Sequence, residues 1–190
     1  MTISSKVFVG LGSNLGDKAE NIRLAINEIG KNSLLLKVSG IYESFPLGFS
    51  TQPHFLNSVC ELTTDLDPWE FLRRLMFIEE SFGRTRTFVN APREIDLDIL
   101  LWGSMRISQP GLVIPHPRME SRGFVLGPLV ELDPTIVHPD SRRPLIEFYN
   151  SFGKFDRPVR INVKASYLSL IHISEPTRPR LISYAVFCLK

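Results

Sequence analysis

Near the middle of the chain, Glu94-Ile95-Asp96-Leu97-Asp98-Ile99-Leu100-Leu101-Trp102 is apolar apart from three carboxylates, and Gly103 stops it. Such a run reads as a β-strand. A strand needs hydrogen-bonded neighbours, so the chain must pair it with others. Alternation places Asp96 and Asp98 on one face, with Cα atoms about 6.6 Å apart. Two like charges held that close repel, and a hard cation such as Mg²⁺ relieves the repulsion. The same spacing also describes a strand whose outer face is simply wetted.

The rest of the chain supplies the partners this strand requires. Lys6 to Leu11 reads as a first strand closed by Gly12-Ser13-Asn14-Leu15-Gly16, and a helix follows in which Ile22, Ala25, Ile26 and Ile29 share a face. That glycine-rich turn lacks the Lys-Ser/Thr ending of a Walker loop and the third glycine of a dinucleotide fingerprint, so it reads as a strand-to-helix connection. Leu34–Tyr42 and Phe55–Thr63 are expected strands on either side of a long Glu43–His54 loop, whose length favours a functional role or mobility. Asp67, Pro68 and Glu70 announce a second helix that runs to Gly83. An Arg-rich loop from Gly83 to Arg93 leads into the acidic strand. A helix is expected around Arg118–Leu132, interrupted by Gly123, Gly127 and Pro128, and a last one near Pro144.

The 190 residues are 43% hydrophobic, enough for one core and unlike a disordered chain. One domain is expected over residues 1–164. From about Ala165 the pattern is lost, and Ser169–Arg178 resembles translated sequencing-adapter sequence, so residues 165–190 are expected to be a non-native tail. That tail holds three basic residues against one acidic residue and so accounts for the whole net charge of +2. A neutral body gives no broad field for nucleic acid. Two distant cysteines, Cys60 and Cys188, suggest a reducing compartment. No secretory signal and no apolar run near ~20 residues is present, so no membrane partner is expected and the location is expected to be cytoplasmic.

Arg84, Arg86 and Arg93 stand just upstream of the Asp pair, and arginines beside paired carboxylates suit phosphoryl-type transfer, in which positioning and charge stabilisation do most of the catalysis. His116 is fixed between Pro115 and Pro117, with Arg118 and Arg122 nearby. These residues leave open a metal-dependent nucleotidyltransferase or phosphoesterase using the same Asp pair. A nucleic-acid-binding module is disfavoured, because no strand shows the aromatic signature of an RNA-recognition sheet.

Six ordered blocks resemble the 6-hydroxymethyl-7,8-dihydropterin pyrophosphokinase family of folate biosynthesis. They are Gly12-Ser13-Asn14-Leu15-Gly16; Pro46-Leu47-Gly48 with Gln52-Pro53 and Phe55-Leu56-Asn57; Gly83-Arg84-x-Arg86; Ala91-Pro92-Arg93-x-x-Asp96-Leu97-Asp98-Ile99-Leu100; Pro115-His116-Pro117; and Arg122-Gly123-Phe124. The resemblance implies an α+β, ferredoxin-like domain with a mainly antiparallel sheet. It implies a kinase-type transferase that moves pyrophosphate from ATP to the pterin hydroxymethyl group and releases AMP. It implies two Mg²⁺ ions at Asp96 and Asp98, catalytic contacts from Arg84 and Arg93, and ATP contacts from Glu79, Arg86, Ile99, His116 and Arg122. Ser44, Phe45, Leu47, Phe55, Asn57 and Phe124 match its pterin pocket, and the family suggests a monomer whose partners are small molecules. The chain departs from many members at Val89 and Asn90, and from some at Met76, Gly111 and Val113.

Overall fold

A computed structural model describes residues 6–46, 52–83, 91–153 and 157–161. The elements run β1 Lys6–Ser13, α1 Lys18–Gly30, β2 Leu34–Val38, β3 Ile41–Ser44, β4 Phe55–Thr63, α2 Pro68–Ser81 and β5 Asp96–Trp102. They continue with β6 Ile107–Gln109, β7 Leu112–Ile114, a 3-10 turn Met119–Ser121, α3 Gly123–Leu132, α4 Leu145–Ser151 and β8 Val159–Ile161. The main sheet has the order β5-β1-β4-β3-β8, with β2 also on β4. Every pairing is antiparallel. Strand–helix–strand–strand–helix–strand with β1 between β4 and β5 is the ferredoxin-like arrangement, here widened by β8 at one edge.

The helices form because their signals agree. Asp67 accepts from the Trp69 and Glu70 backbone N–H groups, Glu70 returns a bond to the Asp67 N–H, and Pro68 takes the first turn. Phe71, Leu75 and Ile78 of α2 then face the sheet together with Ile22, Ala25, Ile26 and Ile29 of α1. From the sheet they meet Val7, Val9, Leu11, Leu62, Leu97 and Ile99. The opposite face carries Phe8, Val59, Leu100 and Leu101 against Met119, Val125, Leu126, Leu129 and Leu145. Thus the sheet is covered on both sides, but α3 and α4 cover only part of their face.

Three differences from the sequence reading have local causes. The expected Leu34–Tyr42 strand divides at Ser39-Gly40, where the Ser39 hydroxyl lies 3.1 Å from the Ser58 hydroxyl and accepts from the Val59 N–H at 3.0 Å. The Ser39 N–H still donates to the Val59 carbonyl at 2.9 Å, but its side chain takes the Val59 N–H as the chain passes from β2 to β3. The expected Arg118–Leu132 helix is a 3-10 turn followed by α3, which keeps Pro128 inside it. Gly127 is there for closeness: a Cβ would lie 3.4 Å from Tyr42, Tyr149 and Pro158. Short strands β6, β7 and β8 carry too few residues for a period to show. The proposed tail lies outside the described residues.

Candidate active site

The uncovered part of the sheet is a cleft of about 720 Å³, counting the space open at its mouth. Its floor follows from register. Gly12 of β1 stands between Asn57 of β4 and Asp96 of β5, and Gly10 stands between Val59 and Asp98. At Gly12 the central strand leaves a trough where a side chain would otherwise rise, while over Gly10 the Leu100 side chain takes that place, 3.3 Å from where a Cβ would lie; the carboxylates stand along one bank and Asn57 along the other. The sequence reading placed Gly12 in a turn, whereas it is a strand residue. A Cβ at Gly12 would meet Asn57 Oδ1 at 3.5 Å, Phe55 at 3.8 Å and Asp96 at 3.9 Å, ordinary contacts that the protein itself tolerates.

β5 keeps the two aspartates on that face and Leu97 and Ile99 on the other. A bulge opposite Phe8 and Val9 then resets the alternation, so that Leu100 and Leu101 both join the α3 side. Asp96 Oδ1 is 2.8 Å from Arg93 Nη1, and Arg93 Nε donates to the Ala91 carbonyl at 3.0 Å. Asp98 Oδ2 is 3.7 Å from Arg122 Nη1 and 3.9 Å from His116 Nε2. Behind the strand, buried Glu79 accepts from the Leu97 N–H at 2.8 Å and so braces the backbone between the aspartates.

His116 is placed by its own N–H, which donates to the Leu100 carbonyl at 3.0 Å, after the cis Ile114–Pro115 bond. Its Nδ1 accepts from the Arg118 N–H at 3.2 Å. Burial, then Arg122 and Arg118, push the imidazole down to about 4, with Asp96 opposing. It is therefore neutral near pH 7, and because Nδ1 is an acceptor the ring proton sits on Nε2, the atom that faces Asp98. Burial, then Arg118, also lowers the pKa of Arg122, against the pull of Asp98 and Asp96.

The other end of the cleft is apolar. Phe55, Phe124, Val125, Val59 and Leu100 line it, and Phe45 stands at its mouth, 74% exposed, with its ring edge-on to His54 at 4.5 Å. Asn57 Nδ2 donates to Ser44 Oγ at 2.9 Å and to the Tyr42 carbonyl at 3.3 Å. Its donors are committed to the protein, which leaves Oδ1 to face the trough. The arrangement thus offers a flat apolar slot with one polar edge, continuous with a basic and acidic end that suits a polyanion and a cation.

Of the residues expected at a site, Ser44, Phe45, Phe55, Asn57, Arg93, Asp96, Asp98, Arg122 and Phe124 line this cleft, with His116 against Asp98. Ile99 points to the α1–α2 core and Glu79 lies behind the strand. Leu47, Arg84 and Arg86 lie outside the described residues. Gly10, Ser58, Leu100 and Val125 were not anticipated, nor was the position of Asn14, a buried amide joining two loops. Asn14 Oδ1 accepts from the Arg93 N–H at 2.8 Å, its own N–H donates to the Arg93 carbonyl at 3.2 Å, and its Nδ2 donates to Gln52 Oε1 at 3.2 Å. Among the described residues no cluster of three or more His, Cys, Asp or Glu side chains forms a ready-made metal site.

A family model for 7,8-dihydro-6-hydroxymethylpterin-pyrophosphokinase (HPPK) matches residues 8–134. The chain is 42% identical over 142 residues to the 2-amino-4-hydroxy-6-hydroxymethyldihydropteridine pyrophosphokinase of Aquifex aeolicus, covering 75% of this chain and 89% of that protein. It is 39% identical over 155 residues to the folic acid synthesis protein fol1 of Pneumocystis carinii, spanning 80% of this chain but 21% of that one. Among solved structures, a Plasmodium falciparum HPPK-DHPS triple mutant superposes with a TM-score of 0.65 at 14% identity, over 83% of this chain and 50% of that chain. That last likeness concerns the fold.

Proposed function

The chain belongs to the 7,8-dihydro-6-hydroxymethylpterin-pyrophosphokinase family, and we propose that the cleft over Gly10 and Gly12 is where it carries out the family's reaction. That reaction moves a pyrophosphoryl group from ATP to the hydroxymethyl group of 6-hydroxymethyl-7,8-dihydropterin in folate biosynthesis and releases AMP. The observation that carries the assignment is the continuity of one trough between an apolar, Asn57-edged slot and the Arg93–Asp96 and Arg122–Asp98 pairs.

In this reading the pterin lies flat between Phe124, Phe55 and Phe45, a stacking that aromatic faces favour. Asn57 Oδ1 accepts from its N–H edge, because the amide donors are already held by Ser44 and Tyr42. Leu47 belongs to the same pocket by position in the sequence. The nucleotide phosphates lie toward Arg93 and Arg122, and Arg84 and Arg86 are assigned to them by position in the sequence. His116 offers a neutral N–H donor there. Glu79 is assigned to the ATP side through its hold on the Leu97 backbone, and Ile99 by its place on β5 next to Asp98, its side chain facing the α1–α2 core.

Asp96 and Asp98 fit a hard divalent cation: they are partly exposed, offer only oxygens and open onto the trough. We assign them two Mg²⁺ ions, which when bound would neutralise charge on the phosphates and orient them. The chain's own share is to fix Arg93 against Asp96 before substrate arrives, to set the pterin hydroxyl in line with the β-phosphorus, and to exclude water. The substrate hydroxyl then attacks that phosphorus directly, AMP leaves, and no covalent enzyme intermediate forms.

Small molecules are its substrates, and we infer a monomer working in the cytoplasm; no described helix is long and apolar enough to cross a membrane. Incubation with Mg-ATP and the dihydropterin tests the proposal. AMP and a pyrophosphorylated pterin are expected, whereas ADP or free pyrophosphate would instead support a phosphoesterase or another transferase.

A further inference from the structure

We propose that Asn21 is a positioning residue for pyrophosphoryl transfer, acting through Arg93. Asn21 lies in the first turn and a half of α1, on the same face as buried Ile22, Ala25 and Ile26, where an amide interrupts an otherwise apolar stripe. Its side chain is aimed at chain connections rather than at solvent. Nδ2 lies 3.0 Å from the Leu15 carbonyl, 3.1 Å from the Glu94 carbonyl and 3.4 Å from Ser13 Oγ. An amide has two hydrogens, so the two carbonyls take them and the hydroxyl is a marginal third partner.

Those two carbonyls come from segments 79 residues apart in sequence, the turn after β1 and the entry to β5. Asn14 ties the same turn to both backbone groups of Arg93. Asn14 and Asn21 therefore clamp adjacent residues, Arg93 and Glu94, to the turn. Two fixed points define a direction where one would leave a hinge. Asp96 follows two residues after Glu94, and the Arg93 guanidinium reaches it at 2.8 Å. Without the Asn21 bond the Glu94 carbonyl loses its described donor and the peptide is free to rotate, which moves Arg93 relative to Asp96. A misplacement of about 1 Å near reacting groups can lower a rate by about a hundredfold.

The inference rests on the function proposed above, so the experiment must separate the two. Turnover and affinity for a non-hydrolysable ATP analogue would be measured for wild type, Asn21→Ala, Arg93→Ala and the double variant, with Asn21→Asp and Asn21→Gln alongside. If Asn21 acts through Arg93, Asn21→Ala lowers kcat by about tenfold with little change in pterin KM, and adds less than about twofold in the Arg93→Ala background. Asn21→Asp, which keeps size but removes the donors, behaves as Asn21→Ala does even if the alanine variant folds poorly. Asn21→Gln retains part of the rate if its longer amide recovers the Glu94 carbonyl. Equal losses in both backgrounds, or an Asn21→Asp variant with full turnover and full analogue affinity, would overturn the positioning role. Wild-type protein that makes no pterin pyrophosphate would instead overturn the reaction assignment.

Discussion

Asp96 and Asp98 differ in what the protein does with them. Asp96 is tied to Arg93 at 2.8 Å, while Asp98 keeps Arg122 and His116 at 3.7 and 3.9 Å and is the more exposed of the two. Asp98→Ala should therefore abolish turnover, a loss of at least about a hundredfold, and leave the melting temperature within a few degrees, because a partly exposed carboxylate contributes little to folding. Retained activity at saturating Mg²⁺ would argue against its assigned role. Gly12 makes a sharper test of the trough. Since a Cβ there meets only ordinary contacts, Gly12→Ala should fold with near-normal stability yet bind the pterin several-fold more weakly, and Gly12→Val more weakly still. Equilibrium titration with the pterin reads this directly, and unchanged affinity would move the ligand away from the floor. The Asp pair was legible because period 2 alone puts two carboxylates on one face. Gly12 was not, because a glycine before Ser13-Asn14 reads as a turn until the β1–β4 register is known.

At the scale of elements, α2 holds the β5 backbone from behind through Glu79 and Leu97, so its stability underlies the site without forming part of it. Asp67→Ala removes acceptors for two N–H groups and the capping box, which should cost about 1 kcal/mol, lower the melting temperature and leave kcat of the folded protein unchanged. A denaturant titration with kinetics on the same preparation checks both halves, and an unshifted midpoint would mean that the cap contributes nothing. α1, β4 and α2 were readable from local signals: caps, stripes and stops. The break between β2 and β3 was not, since the Ser39–Ser58 hydroxyl pair joins residues 19 apart. Nor was the continuity of α3, where Gly127 and Pro128 look like stops until the close packing of Tyr42, Tyr149 and Pro158 around Gly127 is known.

For the whole molecule, the last described contacts close the sheet edge. β8 pairs with β3, and Arg160 Nη2 lies 3.0 Å from Glu131 Oε1, whose other oxygen accepts from the Gly40 N–H at 3.0 Å. A protein ending at Lys164 keeps all of this and should retain full turnover and melting temperature. One ending at residue 156 loses β8 and should melt several degrees lower. Equal stability of the two shortened forms would show that β8 adds nothing, and loss of activity at the first would make residues 165–190 part of the working protein.

The sequence by itself determined the chemistry: the acidic strand, the arginines near it, His116 between prolines and the six ordered blocks are local patterns, and their meaning needs no fold. Only the tertiary structure decided where the empty space lies. The trough exists because Gly12 falls between Asn57 and Asp96 in register, with Leu100 covering Gly10 beside it. It remains open because α3 and α4 stop short of that end of the sheet. Its arginine is aimed by Asn14 and Asn21 across 79 and 73 residues of sequence. Absent side chains and long-range hydrogen bonds leave no periodic trace in a chain, since both depend on which segments meet.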